Sequence, residues 1–293
     1  MASSLRAVKP KTAEPSKPKV LVYSKEGQGK TWFTLQFPDV YFIDTEGGAR
    51  RTHYVELLEA SGGVYMGPDQ GSLDFETVID QVKALARERH PYKTLVIDSV
   101  TKLFNTAVAE EAERLGDKNA FGADKKAAVQ YMRRLVAWMM RLDMSVILTA
   151  HQVDVWGVNE RGQREVIGVG PDCWAKLPYE LDLCINLQKV GPRRIGKVGK
   201  SRLLGFPEAD TFEFAYPVFA ERYGRDVIDA ASKRLALATP EQVAEIHKLL
   251  DTVKLPDGQA EKWLSAASAE TWDEVDEDKA AKVIGALKQK LAA

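Results

Sequence analysis

The sequence predicts an α/β protein with a mainly parallel central sheet and a small helical domain at its C-terminal end. Three observations carry that expectation. Short β-rich runs (VLVY at 20–23, VYFID at 40–44, TLVID at 94–98, SVILTA at 145–150, LDLCINL at 181–187) alternate with helical patterns, as they do in α/β domains. The runs are apolar on consecutive residues, the habit of strands buried on both faces of a parallel sheet. After about Leu237 no strand-like run remains.

In chain order, residues 1–19 are rich in Lys, Pro and Ser with almost no large apolar side chain, and read as a flexible basic arm of net charge +4 that cannot offset the entropy of ordering. Residues 20–236 form the core. Its helices are expected at 74–89, 101–114 and 124–142, where apolar residues recur at three- and four-residue spacing. Residues 237–293 form the helical domain. Thr239-Pro240-Glu241-Gln242 supplies an N-cap, a proline at the first helical position and a capping-box glutamine, and helices follow near 240–254, 257–267 and 277–291.

Composition narrows the function. The 293 residues hold 41 Lys and Arg against 42 Asp and Glu, a net charge of −1, which argues against a generically basic nucleic-acid coat protein. No apolar run approaches the roughly 18 residues of a membrane helix, and the first 19 residues have no apolar signal-peptide core. A soluble protein of the cytoplasm is expected, with no membrane partner. Two cysteines, Cys173 and Cys184, make neither a disulfide framework nor a zinc pattern, and no G-x-G-x-x-G or G-x-S-x-G is present.

The most informative segment is VLVYSKEGQGKTWF at 20–33. An apolar strand runs into a glycine-containing turn and then Lys-Thr at a helix start, a P-loop pattern in which Ser24 stands where the first glycine of G-x-x-x-x-G-K-T is expected. Gly27 and Gly29 let the backbone curl its N–H groups toward phosphate oxygens. Lys30 reaches the β- and γ-phosphates and Thr31 sets its hydroxyl on Mg²⁺. Ser24, Lys25, Glu26, Gly27, Gln28, Gly29, Lys30, Thr31 and Trp32 are thus the expected ATP-binding residues. Asp98 ends an apolar strand and is the second Mg²⁺ residue, holding the ion through water. At the end of FIDTEGG, Glu46 is the candidate to orient the attacking water; Asp44 competes for that role against capping the glycine turn. Gln152, closing SVILTA, is placed to sense the γ-phosphate, and His151 beside it reads more simply as a rim histidine.

P-loop, FIDTE, LVIDS and a polar strand end with Gln, in that order, resemble the RecA-like ATPase core over about residues 18–225, and more narrowly the phage-encoded RecA-like single-strand annealing proteins. The resemblance implies a RecA-like P-loop NTPase fold, DNA-stimulated ATP hydrolysis with Mg²⁺, and a catalytic set of Glu46, Lys30 and Gln152; His151 sits where RecA has Asn. It also implies DNA-binding loops at 115–126 and 153–175, where Phe121, Trp156 and Trp174 interleave with Lys125, Lys126, Arg161 and Arg164, a mixture suited to single-stranded DNA. Lys200-Ser201-Arg202 resembles the Lys-x-Arg finger that such cores insert into a neighbour's ATP site, so Lys200 and Arg202 are expected to act in trans within a filament or ring. They belong to a segment between Gln188 and Phe206 of net charge +6. An acidic run at 270–278, of net charge −6 around Trp272, reads as a solvated linker, a DNA mimic, or a docking surface for a single-strand-binding or replication protein. The expected function is an ATP-dependent recombinase or annealing protein. A helicase-like motor or loader, and a nucleotide-gated assembly module with little turnover, are the alternatives.

Overall fold

The structure, a computed structural model, describes residues 16–292. Most of the expected basic arm at 1–19 therefore lies outside the described residues. Its last residues are not loose: Lys17 and Lys19 are buried, and the Lys19 ammonium donates to the carbonyls of Leu142 at 2.8 Å and Met144 at 2.6 Å.

In chain order the elements are β1 (Lys19–Ser24), α1 (Lys30–Thr34), β2 (Val40–Asp44), α2 (Thr52–Ala60), β3 (Val64–Met66), α3 (Phe75–Arg87), β4 (Thr94–Asp98), α4 (Val100–Leu115), α5 (Ala123–Arg141), β5 (Ser145–Val158), β6 (Arg164–Pro171), α6 (Leu177–Glu180), β7 (Leu183–Val190), β8 (Arg193–Ser201), β9 (Thr211–Glu213), α7 (Tyr216–Tyr223), α8 (Arg225–Asp229), α9 (Pro240–Thr252), α10 (Gln259–Ala266) and α11 (Glu277–Ala292). The sheet runs β3-β2-β4-β5-β1-β7-β8-β9, with β6 paired to β5 outside that path. From β3 to β7 every pairing is parallel; β8 and β9 return antiparallel.

Burial on both faces explains the unbroken apolar runs. In β1, Leu21 and Tyr23 join one cluster with Val78 and Ile79 of α3, Leu103 of α4 and Met132 and Leu135 of α5. Val20 and Val22 join the opposite one with Phe33, Phe37, Phe206 and Phe219. The two clusters cover both faces of the sheet, and the carboxyl ends of its parallel strands are where α/β proteins bind ligands.

Two segments depart from the sequence expectation. The strand begun by SVILTA does not stop at Ala150: β5 continues to Val158 and pairs antiparallel with β6, from Gln152 opposite Pro171 to Val158 opposite Arg164. The segment expected as a loop at 153–175 is thus largely a β-ribbon projecting from the sheet. Its signal lies in VDVWGV and REVIGVG, β-branched runs joined by a turn in which Asn159 Oδ1 accepts the N–H groups of Arg161 and Gln163, both at 3.0 Å.

The second departure is the acidic run. It does not stand free as a solvated linker, because four of its acids meet basic side chains of α3 and α5. Lys83 pairs with Glu274 and Arg87 with Asp273, both at 2.7 Å. Arg141 pairs with Asp276 at 2.7 Å and Arg134 with Glu270 at 2.5 Å. Lys83, Arg87 and Arg141 also crowd the face of Trp138. Beyond this seam α9 to α11 close on a cluster of their own around Ile246, Trp272 and Leu287, and α9 opens with the expected box: Gln242 N–H donates to Thr239 Oγ1 and Gln242 Oε1 accepts from Thr239 N–H. Among the described residues no helix is long and apolar enough to cross a membrane.

Candidate functional site

β1 delivers Ser24, fully buried, to the start of a loop that curls through Gly27 (φ 67°) and Gly29 (φ 106°) into α1. Both glycines hold left-handed backbone that other residues adopt only with strain. The Lys30 ammonium folds back on this loop, donating to the Ser24 carbonyl at 3.2 Å, the Ser24 hydroxyl at 3.1 Å and the Lys25 carbonyl at 3.3 Å. Burial lowers its pKa, while Asp98, Glu46 and Glu26 pull it back up. Ser24 therefore closes the turn as glycine would and adds a hydroxyl that holds the lysine.

One helical step on, Thr31 Oγ1 donates to Asp98 Oδ2 at 2.6 Å, and Thr149 Oγ1 donates to the other Asp98 oxygen. Asp98 is buried at the end of β4, and burial raises its pKa against the opposing pull of the two hydroxyls. No group of three or more His, Cys, Asp or Glu capable of caging a metal occurs among the described residues. A hydroxyl beside one carboxylate, facing a phosphate loop, is instead what Mg²⁺ uses when it keeps waters and takes its remaining ligands from phosphate. Thr31 and Asp98 fit that ion.

At the end of β2, Asp44 and Glu46 divide. Asp44 accepts N–H groups from Glu46 at 3.1 Å and from Gly47 and Ala49, both at 2.8 Å, plus the Tyr65 hydroxyl at 2.9 Å; its lone pairs are spent on the turn. Glu46 is half-exposed and points into the cleft, where its Oε1 meets the Ser99 hydroxyl and, at 2.7 Å, His151 Nε2. A cleft of about 380 Å³ is lined by Glu26, Gly27, Gly29, Lys30, Thr31, Trp32, Glu46, His53, Tyr54, Asp98, His151 and Arg194.

Of the expected residues, Ser24, Lys25 and Gln28 belong to the loop without lining the cleft, and Gln152, Lys200 and Arg202 lie away from the loop as well. Gln152 is not in the cleft lining; its Oε1 accepts from Asn186 Nδ2 at 2.9 Å, on the β7 side. Its neighbour His151 takes the cleft position. Lys200 and Arg202 lie at the opposite end of the sheet, because β8 runs against β7 and so against β1: Arg194 pairs with Lys189 near the cleft end, whereas Ser201 pairs with Leu183. There Lys200 donates to the Leu181 carbonyl and Arg202 to the Tyr179 carbonyl, and burial lowers the Lys200 pKa. Sequence reasoning missed Arg194 as a cleft residue and underweighted His151. For Arg194 no motif signal exists, since its approach depends on the return of β8.

A family model described as an AAA domain matches residues 16–212. The chain belongs to the AAA domain family. Among solved structures, this AAA domain protein is similar to the RadB recombinase, at 19% identity over 66% of this chain and 84% of that one, with a TM-score of 0.40. It is also similar to an ATPase from the type III secretion system of pathogenic bacteria, at 15% identity over 94% of this chain and 80% of that one, with a TM-score of 0.39. No curated protein matches it. The AAA domain core is an α/β fold with a mainly parallel sheet, in which β5 lies between the P-loop strand β1 and the Asp98 strand β4.

Proposed function

We propose that this protein is a Mg²⁺-dependent ATPase that works as an oligomer on single-stranded DNA and promotes annealing or strand pairing. One observation carries the reading: Lys30, the Thr31–Asp98 pair and Glu46 converge at the carboxyl ends of β1, β4 and β2 around a single cleft.

In that reading Lys30 exchanges its three loop oxygens for the phosphates of ATP. Thr31 and Asp98 would hold Mg²⁺, which neutralises charge on the phosphate oxygens. Glu46 orients the water that attacks the γ-phosphorus, giving ADP and inorganic phosphate. His151 and Ser99 hold the Glu46 carboxylate, so the base is aimed before water arrives. His151, which lines the cleft and meets Glu46, directly precedes Gln152 at the root of the β5–β6 ribbon, so the chain itself joins the cleft to that ribbon.

Support for DNA comes from exposed aromatics beside cations. Phe121 is fully exposed just before α5, near Lys125 and Lys126. Trp156 is half-exposed on the ribbon with the Arg164 guanidinium 5.1 Å from its ring. Lys200 and Arg202, remote from their own cleft, are the candidates to complete a neighbour's. The test is ATP turnover by the full chain with and without single-stranded DNA: turnover that rises with DNA and vanishes in Lys30→Ala is expected, and equal turnover in Lys30→Ala overturns the reading.

A further inference from the structure

Arg194 occupies the cleft although no motif accounts for it. Alternate residues of a strand share a face, and on β8 the row is Arg194, Gly196 and Val198. Val198 is buried in the aromatic cluster that contains Phe33 of α1. Gly196 leaves the space filled by Phe212 and Phe214, since a Cβ there would stand 2.8 Å from Phe214 Cδ2. The row thus faces the P-loop helix, and Arg194 is its member at the cleft end. Its main chain is anchored to that helix: the Arg194 carbonyl accepts the Phe214 N–H at 2.8 Å, and the Phe214 ring lies 4.1 Å from the ring of Phe33.

The side chain then crosses to the loop. Its Nε donates to the Gln28 carbonyl at 2.9 Å and stands 2.5 Å from where a Cβ on Gly29 would be, so glycine at 29 leaves the room that Arg194 uses. Among the described residues no carboxylate pairs with this guanidinium, and one of its five N–H donors is engaged. A planar donor fork with spare N–H groups beside a phosphate loop suits bidentate contact to phosphate.

We propose that Arg194 is a nucleotide ligand supplied within the same subunit, its guanidinium passing from the Gln28 carbonyl to the phosphate chain of ATP held by the P-loop. This rests on the ATPase reading above. It divides the basic segment at 189–202 by function: Arg194 serves its own cleft, and Lys200 and Arg202 remain the candidates for a neighbour's.

The experiment is fluorescent ATP and ADP titration of the full chain at fixed salt, for wild type, Lys30→Ala, Arg194→Ala and Arg194→Lys. Wild type binds, Lys30→Ala loses binding, Arg194→Ala weakens both nucleotides about tenfold or more, and Arg194→Lys recovers part of the loss. The rise in melting temperature on adding ATP is the second readout; it compares loaded and empty samples of one variant, so a purely structural loss cancels. Arg194→Ala binding within twofold of wild type, with the same ATP-induced rise and Lys30→Ala inactive, overturns the role of Arg194 alone. Equal binding by wild type and Lys30→Ala overturns the ATPase reading and this proposal with it.

Discussion

Asp44 and Glu46 stand two residues apart at one strand end, and hydrogen bonds give them separate work. Three backbone N–H groups and a tyrosine hydroxyl occupy Asp44; Glu46 keeps an oxygen toward the cleft. The sequence narrowed the choice to these two because an acid after a buried strand has few uses, but counting N–H groups required the turn itself. The same limit applies to Arg194, which meets Gln28 across 166 residues of chain and so leaves no local pattern. Lys30 and Thr31 stand out in the sequence as the end of a glycine loop, and Asp98 as an acid closing an apolar strand; the parallel sheet brings Thr31 and Asp98 together across 67 residues. A further residue carries a pH prediction. Burial depresses the Lys19 amine to about 7. Between about 7 and the 10.5 of an unfolded lysine, the unfolded chain binds more protons than the folded one, so this group makes stability rise with pH across that window. Denaturant melts of wild type and Lys19→Met from pH 7 to 10 check it: the variant loses that part of the slope.

Among the elements, the core strands were legible nearly to the residue. VYFID and TLVID match β2 and β4, because burial on both faces leaves an unbroken apolar run. The β5–β6 ribbon was not, since it has no core to face. Val153, Val155, Trp156, Val158, Val166, Ile167 and Val169 are all exposed, and alternation has no meaning where neither face is covered. In the proposed DNA-binding role, the ribbon's Trp156 beside Arg164 would stack on bases, with Phe121 as a second platform. Trp156→Ala and Phe121→Ala are each expected to weaken single-stranded DNA binding about tenfold, the loss of one stacking contact, with melting temperatures unchanged because both rings are exposed. Fluorescence anisotropy with a labelled oligonucleotide measures it.

Over the whole molecule, a net charge of −1 averages segregated charges. The +6 segment splits between the cleft, an exposed hairpin and the far end of the sheet. The −6 run is largely neutralised by α3 and α5, so it works as a seam between the core and α9–α11. Glu274 is buried, pairs with Lys83 at 2.7 Å and accepts the Glu270 N–H at 2.8 Å. Glu274→Ala strands Lys83 and is expected to cost about 3 kcal/mol, read as a fall in denaturation midpoint; Glu277→Ala, outside these pairs, is expected to change it little. The proposed function turns on Glu46 driving ATP hydrolysis in answer to DNA. The most direct measurement is steady-state phosphate release with and without single-stranded DNA, for wild type and Glu46→Gln. DNA should raise wild-type turnover, and Glu46→Gln should bind ATP yet turn over about a hundredfold more slowly. Wild-type turnover indifferent to DNA, with Glu46→Gln at the parental rate, would rule out a DNA-driven ATPase that works through Glu46.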